Sequence, residues 1–173
     1  MSNHPVSEKI PPWLLWQRLS RLEIFENFND DQRDAFLKAY ENEPGIRLRA
    51  FKPGEIICRK GEYELDLCLI LGGGVDLIDR YGEDDQVLVA ALEAGNLYGE
   101  LGAIGGLPRT LDVVARADCE IFYVPRQPAS SGASNYIAHL QFGNHAGHGA
   151  VVHRRGVAAR RDFPGHGAGR AAA

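Results

Sequence analysis

The chain has 173 residues, of which 45% are hydrophobic and 9% are aromatic, and this supports one globular domain with chain to spare. Its formal net charge of −4 is unevenly divided, because residues 128–173 hold five Arg, no Lys and one Asp. That segment therefore carries +4 and residues 1–127 carry −8, which excludes a general nucleic-acid-binding role for the longer part. No window approaches about 18 uninterrupted apolar residues, so we expect no membrane-spanning segment.

The three cysteines, Cys58, Cys68 and Cys119, are far apart and form no CxxC pattern. Such spacing indicates buried thiols in a reducing compartment and not a disulfide framework or a metal site. The first ten residues are polar and carry no apolar run, so they are not expected to be a secretory signal. We therefore expect a cytoplasmic protein without a bound metal.

The N-terminal part predicts a disordered lead over residues 1–10 and helices over 11–45. Pro11 and Pro12 stand where a helix can begin, since proline is favoured in the first turn. Asn29 and Gln32 have the spacing of a capping box. A helix over 30–42 would place apolar side chains on one face, namely Phe36, Leu37 and Tyr40.

From residue 46 onward the pattern changes to short strands separated by glycine-rich turns. In the first of them, Ile46, Leu48 and Ala50 alternate with Arg47, Arg49 and Phe51. Eight such segments at regular spacing predict a mainly β sandwich or jelly roll. The predicted strands are 46–51, 55–59, 65–71, 75–79, 86–92, 97–98, 110–115 and 119–124.

Residues 99–110, which follow the sixth predicted strand, have the features of a ligand-binding site. It predicts a short helical turn, whose free backbone N–H groups favour an anion. Arg109 carries a planar donor fork that suits a phosphate. Glu100 is an acceptor that can hold a hydroxyl such as a ribose 2′-OH. An anion site beside a hydroxyl site describes a nucleotide with its sugar.

This stretch resembles the phosphate-binding cassette of cyclic nucleotide-binding domains, which occur in catabolite activators, cyclic-nucleotide-dependent kinases and gated channels. That family has a Gly-Glu-Leu opening and, nine or ten positions after the Glu, an Arg often preceded by Pro. Here Gly99-Glu100-Leu101 opens the stretch, and Arg109 follows Pro108 nine positions after the Glu. The resemblance covers roughly residues 20–127.

The resemblance implies an eight-stranded jelly-roll β-barrel over residues 46–127, interrupted by the helical cassette. It further implies that Arg109 pairs with the cyclic phosphate of cAMP or cGMP and that Glu100 takes the ribose hydroxyl. Backbone amides near Leu101 and Gly102 would complete the phosphate cradle. The expected ligand-binding residues are Gly99, Glu100, Leu101, Gly102, Arg109 and Thr110.

Two of the residues that follow Arg109, namely Thr110 and Asp112, leave questions open. Thr110 is a residue type seen in family members that bind cyclic GMP and also in bacterial members that prefer cyclic AMP. Asp112 is expected to face solvent on its strand. If it faced the pocket, it would repel a phosphate and weaken binding.

Residues 128–173 depart from the family, which continues with helices that close over the base. Eleven Ala and eight Gly among these 46 residues indicate a low-complexity, disordered tail, or a shifted reading frame of a GC-rich gene. Five of the six histidines lie here, and an adventitious metal contact is the most that their spacing supports. No recognition helix is evident, so DNA binding is not expected from this chain.

Four function classes remain to be compared. The first is a regulatory domain that senses a cyclic nucleotide without catalysis and acts on a homodimer or an effector protein. The alternative is a truncated or degenerate member of a cyclic nucleotide-dependent transcription regulator family, without output helices and DNA-binding domain. A cupin-type metalloenzyme is disfavoured, because residues 5–138 contain no histidine. A domain that serves only as a protein contact is disfavoured by the presence of both Glu100 and Arg109.

Overall fold

The computed structural model describes residues 9–43 and 45–126 of the chain. The predicted tail at 128–173 and most of the predicted lead lie outside the described residues. The described helices are α1 Pro12–Leu19, a single 3₁₀ turn Glu23–Phe25, α2 Asp30–Asn42 and α3 Glu100–Gly105. The strands are β1 Arg47–Phe51, β2 Ile56–Cys58, β3 Leu67–Gly72, β4 Gly74–Asp79, β5 Val87–Glu93, β6 Leu97–Tyr98, β7 Asp112–Ala115 and β8 Cys119–Val124.

The eight strands form two four-stranded sheets, as the sequence predicted. One sheet has the order β1-β8-β3-β6 and the other β2-β7-β4-β5, and each neighbouring pair is antiparallel. Consecutive strands alternate between the sheets in places, which is the winding of a jelly roll. The helix α3 interrupts the roll between β6 and β7.

The sheet β1-β8-β3-β6 is covered on both faces. One face carries Leu48, Leu69 and Phe122, which pack with the N-terminal helices in one core cluster. The other face turns toward the second sheet and carries Cys68, Ile121 and Tyr123 among others, in a second cluster that includes residues of β2, β4 and β7. Because both faces are buried, side chains of either parity along these strands are largely removed from water.

The N-terminal helices are fixed to this sheet by local and long-range contacts. The predicted capping box is confirmed, since the Asn29 side chain accepts from the Gln32 amide at 2.8 Å and the reciprocal bond is 3.0 Å. Phe36 and Tyr40 of α2 are buried, as predicted, and the Phe36 ring lies 5.9 Å from that of Phe122. The N-terminal segment therefore packs directly on the roll.

The alternation predicted for the first strand fails at its end. Leu48 is buried as expected, but Ala50 is exposed and Phe51 is 3% exposed. Phe51 belongs to the cluster between the sheets, whereas Leu48 belongs to the cluster under the helices. The strand thus has two apolar partners on opposite faces, and a pattern with one buried face could not describe it.

Asp112 does not face solvent, contrary to the prediction. It is 6% exposed, and its carboxylate accepts the Lys60 amide at 3.1 Å and the Tyr81 amide at 3.0 Å. Strand β7 lies between β2 and β4, so its first residue reaches the loops that follow both. The carboxylate therefore joins two loops through backbone bonds.

The three cysteines are free and buried, as predicted. Among the described residues, no helix has the length and apolar character needed to cross a bilayer. The same part of the chain brings together no group of three or more His, Cys, Asp or Glu side chains that could hold a metal ion.

Candidate functional site

The helix α3 is framed by two glycines in left-handed backbone conformations. Gly99 precedes the helix with φ of 89°, and Gly106 follows it with φ of 66°. The Gly106 amide donates back to the carbonyls of Gly102 and Leu101, which closes the last turn. Positive φ at both ends favours glycine and makes a six-residue helix possible between two strands.

Arg109 is held on the roll by its backbone. Its amide donates to the Glu62 carbonyl at 2.8 Å, and its own carbonyl accepts the Gly61 amide at 2.7 Å. This pair of bonds fastens the end of the cassette to the loop between β2 and β3. The Arg109 side chain is consequently directed inward and is only 6% exposed.

One nitrogen of the Arg109 guanidinium is hydrogen-bonded, and the other two are not. Nη2 donates to the Asp66 carbonyl at 2.9 Å, to the Glu64 carboxylate at 3.4 Å and to Cys68 Sγ at 3.5 Å. Nε and Nη1 are buried, and neither has a hydrogen-bond partner within residues 9–43 and 45–126. Buried donors without an acceptor are costly, so the N–H groups of these two nitrogens favour the arrival of an oxyanion.

Gly99 lies against this guanidinium. A Cβ built at Gly99 would overlap Arg109 Nη1 and stand 2.7 Å from the Asp66 carbonyl oxygen. At Gly102 a Cβ would lie 3.0 Å from the Glu64 carbonyl oxygen. The absence of side chains at these two positions lets α3 pack closely against the loop that also carries Glu64 and Asp66.

We expect Gly99→Ala to lower the free energy of unfolding by about 2 kcal/mol, because it adds a left-handed penalty to the overlap with a backbone carbonyl. Urea unfolding followed by tryptophan fluorescence would measure the change. The matched control is Gly54→Ala, where φ is also positive, 84°, but a Cβ would meet nothing within 4 Å. Equal losses for the two variants would show that the close packing at Gly99 contributes nothing.

A row of polar side chains crosses the sheet beneath Arg109. In register across the strands lie Arg47 of β1, Tyr123 of β8, Cys68 of β3 and Tyr98 of β6. The Arg47 guanidinium stands 4.4 Å from the centre of the Tyr123 ring, and that of Arg109 stands 5.7 Å from the centre of the Tyr98 ring. The rings of Tyr123 and Tyr98 thus lie close to the two arginines, because aromatic rings attract cations.

Burial governs the ionisation of the tyrosine and cysteine side chains near Arg109. Desolvation raises the pKa of Tyr98 well above its ordinary value, and it raises the pKa of the Cys58 thiol to about 12. Burial likewise raises the pKa of the Cys68 thiol. These groups are neutral at physiological pH, so the charges of the site belong to arginines and carboxylates.

The structure brings some of the predicted residues together and leaves others at the surface. Gly99, Gly102 and Arg109 form one packed unit. Glu100, Leu101 and Thr110 are exposed, with Glu100 in the first turn of α3 and Thr110 directly after Arg109. The Gly102 amide donates to the Gly99 carbonyl at 3.1 Å, within the turn.

Sequence reasoning missed the charges around Arg109. Glu64 and Asp66 precede β3, and Arg47 begins β1. The Arg47 Nη2 atom lies 2.8 Å from Asp66 Oδ2 and 3.8 Å from Glu64 Oε1. The alternating acids at 62, 64 and 66 were the available signal, but no local pattern indicates which of them meets an arginine.

Comparison with known proteins agrees with this fold. The family model "Cyclic nucleotide-binding domain" matches residues 48–136, slightly more than half of the chain. The chain therefore belongs to the cyclic nucleotide-binding domain family. Among curated relatives, mouse cyclic nucleotide-gated channel beta-3 is 35% identical over 75 residues, which is 40% of this chain and 10% of the channel. The chain thus spans only a small part of the length of that relative.

Solved structures show the same fold. The regulatory domain of Toxoplasma gondii PKA, crystallised with cAMP, has a TM-score of 0.59 and 20% identity, covering 75% of this chain and 46% of that one. The catabolite activator protein of Thermus thermophilus has a TM-score of 0.51 and 22% identity, covering 68% of this chain and 49% of that one. At these identities the likeness is one of architecture.

Proposed function

We propose that this chain senses a cyclic nucleotide and acts as a regulatory domain without catalysis. The observation that carries the proposal is that two nitrogens of the buried Arg109 guanidinium, Nε and Nη1, have no acceptor among the described residues, and that Nη1 lies against Gly99. A cyclic phosphate carries one negative charge and has two exocyclic oxygens, which can accept N–H groups of the guanidinium. Binding would satisfy donors that folding has already removed from water.

The remaining roles follow from position. Glu100 stands at the exposed first turn of α3, one residue from Gly99, where its carboxylate can accept the ribose 2′-OH. The Leu101 amide belongs to the same first turn and is proposed to complete the phosphate cradle. The neighbouring Gly102 amide already donates to the Gly99 carbonyl, so Gly102 is proposed to contribute through its lack of a side chain. Thr110 follows Arg109 at the surface and is the proposed contact to the base. These side chains bind and orient the ligand, and none is assigned a part in bond cleavage.

The known relatives support a regulatory role. The mouse relative is named a cyclic nucleotide-gated channel, and the Toxoplasma structure is a kinase regulatory domain with cAMP. In this chain we propose that ligand binding changes the packing of α1 and α2 on the roll and so reaches a second copy or an effector protein. A ligand can do so only if it prefers one arrangement of these helices.

The test is calorimetric titration of the full chain with cAMP, cGMP and 5′-AMP, whose phosphate is not cyclised. We expect saturable 1:1 binding of a cyclic nucleotide in the micromolar range and weaker binding of 5′-AMP. The tighter of the two cyclic ligands identifies the base. Absence of binding to either cyclic nucleotide by the folded protein would refute the proposal.

The ribose contact has its own prediction. Glu100→Ala should weaken binding about 10- to 100-fold, the size of a hydrogen bond to a charged group. The 2′-deoxy form of the preferred ligand should bind wild type with a similar loss, and Glu100→Ala should add almost nothing to it. Glu26→Ala, at an exposed acid beside the 3₁₀ turn, is the control and should bind like wild type. Additive losses would mean that Glu100 does not hold the 2′-OH.

A further inference from the structure

Glu64 lies between two arginines that belong to different parts of the fold. Its Oε2 is 3.4 Å from Arg109 Nη2, and its Oε1 is 3.8 Å from Arg47 Nη2. The Glu64 side chain is 23% exposed and the Arg109 side chain 5% exposed, so water screens their interaction only partly. A carboxylate that touches the anion-binding arginine acts on the same charge that an incoming phosphate would meet.

The second acid of this loop, Asp66, pairs with a different arginine. The Asp66 carboxylate is paired with Arg47 at 2.8 Å, and Asp66 meets Arg109 only through its backbone carbonyl. Together, Arg47, Arg109, Glu64 and Asp66 carry no net charge. Of the two acids, Glu64 is therefore the one whose negative charge directly offsets that of Arg109.

We propose that the Glu64 carboxylate is an internal counter-charge that weakens the binding of a phosphate at Arg109, so that neutralising it strengthens binding. This inference rests on the function proposed above and adds to it a residue that sets the affinity. With Glu64 charged, a phosphate enters a cluster without net charge. With Glu64 neutral, the same cluster carries one positive charge, while the backbone carbonyl of Asp66 still orients the guanidinium.

The ionisation of Glu64 agrees with this role. Burial is the main influence and raises the pKa of Glu64 above its ordinary value, against the opposing effect of Arg109. Bringing a phosphate to Arg109 adds a second negative charge nearby and must raise this pKa further. Binding should therefore be accompanied by partial proton uptake as the pH falls toward this raised pKa. The groups that influence or are influenced by Glu64 are Arg109, Asp66, Arg47, Cys58, Cys68 and Tyr123.

The experiment compares Glu64→Gln with wild type in titrations with the preferred cyclic nucleotide. The amide keeps the size of the side chain and an oxygen acceptor toward Arg109 but removes the charge. We expect Glu64→Gln to bind about tenfold more tightly at neutral pH, the size expected for one unit charge several ångström away in an intermediate dielectric. Asp118→Asn is the matched control, because this acid has a 71% exposed side chain and pairs with Lys52 at the surface.

A second measurement does not depend on the variant. Titrations of wild type in buffers of different ionisation enthalpy count the protons taken up on binding. We expect wild type to gain affinity and take up protons as pH falls toward the raised pKa of Glu64, and Glu64→Gln to show a smaller change. The histidines of residues 128–173 are common to both proteins, so the difference between them isolates Glu64.

The outcomes separate the two proposals. If wild type binds no cyclic nucleotide, both the proposed function and this inference fail. If wild type binds but Glu64→Gln binds equally or more weakly and proton uptake is the same in both, the inference alone is overturned. Tighter binding by Glu64→Gln, with an unchanged Asp118→Asn, supports it.

Discussion

Replacing Arg109 by alanine should strongly weaken the binding of the cyclic nucleotide. The loss of a buried charge-assisted contact to phosphate is expected to cost about 2–5 kcal/mol, or at least roughly thirtyfold in the dissociation constant. The variant also leaves Glu64 without its nearest cation, which adds repulsion toward the ligand. Calorimetric titration would measure the change.

Two further variants show whether the geometry of Arg109 matters beyond its charge. Arg109→Lys keeps the charge but loses the planar fork, so we expect intermediate binding, about tenfold weaker than wild type. Arg33→Ala removes one positive charge from the surface of α2 and should bind like wild type. Circular dichroism confirms that each variant is folded. Binding by Arg109→Ala within about threefold of wild type would exclude Arg109 as the phosphate ligand.

Replacing Asp112 by alanine should destabilise the fold, because its carboxylate joins the loop between β2 and β3 to the loop after β4. The substitution leaves the amides of Lys60 and Tyr81 without their acceptor in a partly buried position. Each unsatisfied amide costs about 1–3 kcal/mol, so we expect a loss of about 2–4 kcal/mol in the free energy of unfolding. Urea unfolding would measure the loss as a lower midpoint.

The Asp112→Asn variant tests whether stability depends on the charge of this side chain or on its two hydrogen bonds. Its single side-chain oxygen can accept only one of the two amides, while its NH₂ group would face the other donor. We therefore expect a loss close to that of Asp112→Ala. The exposed acid Asp118 provides the control, since Asp118→Ala should change stability by less than about 0.5 kcal/mol. An equally small effect of Asp112→Ala would show that the two loops hold together without this carboxylate.

The features that depend on residues close together in the chain were predicted from the sequence. The capping box of Asn29 and Gln32 spans four residues, and the cassette from Gly99 to Arg109 spans eleven. Their signals are complete within a short segment, so both the helix α2 and the helical turn α3 could be placed from the sequence. The strand positions were equally accessible, because their turns are marked by Gly and Pro.

The failed predictions all concern contacts between distant segments. Phe51 turned inward because the sheet is buried on both faces, which no pattern within β1 indicates. Asp112 turned inward because β7 lies between β2 and β4, so that amides 52 and 31 residues away reach its carboxylate. A charged residue in a strand was reasonably expected at the surface, and only the loop amides of its neighbours made burial favourable.

The sequence by itself determined the family and the jelly roll, and it singled out Arg109 as the proposed anion-binding residue, because these inferences depend on residue types at short, fixed spacing. Only the tertiary structure decided the environment of that arginine. It placed Glu64 against Arg109, paired Asp66 with Arg47, and laid Tyr98, Cys68 and Tyr123 side by side beneath them. Charges interact through space and not along the chain, so the electrostatics of the site became visible only once strands far apart in sequence were neighbours.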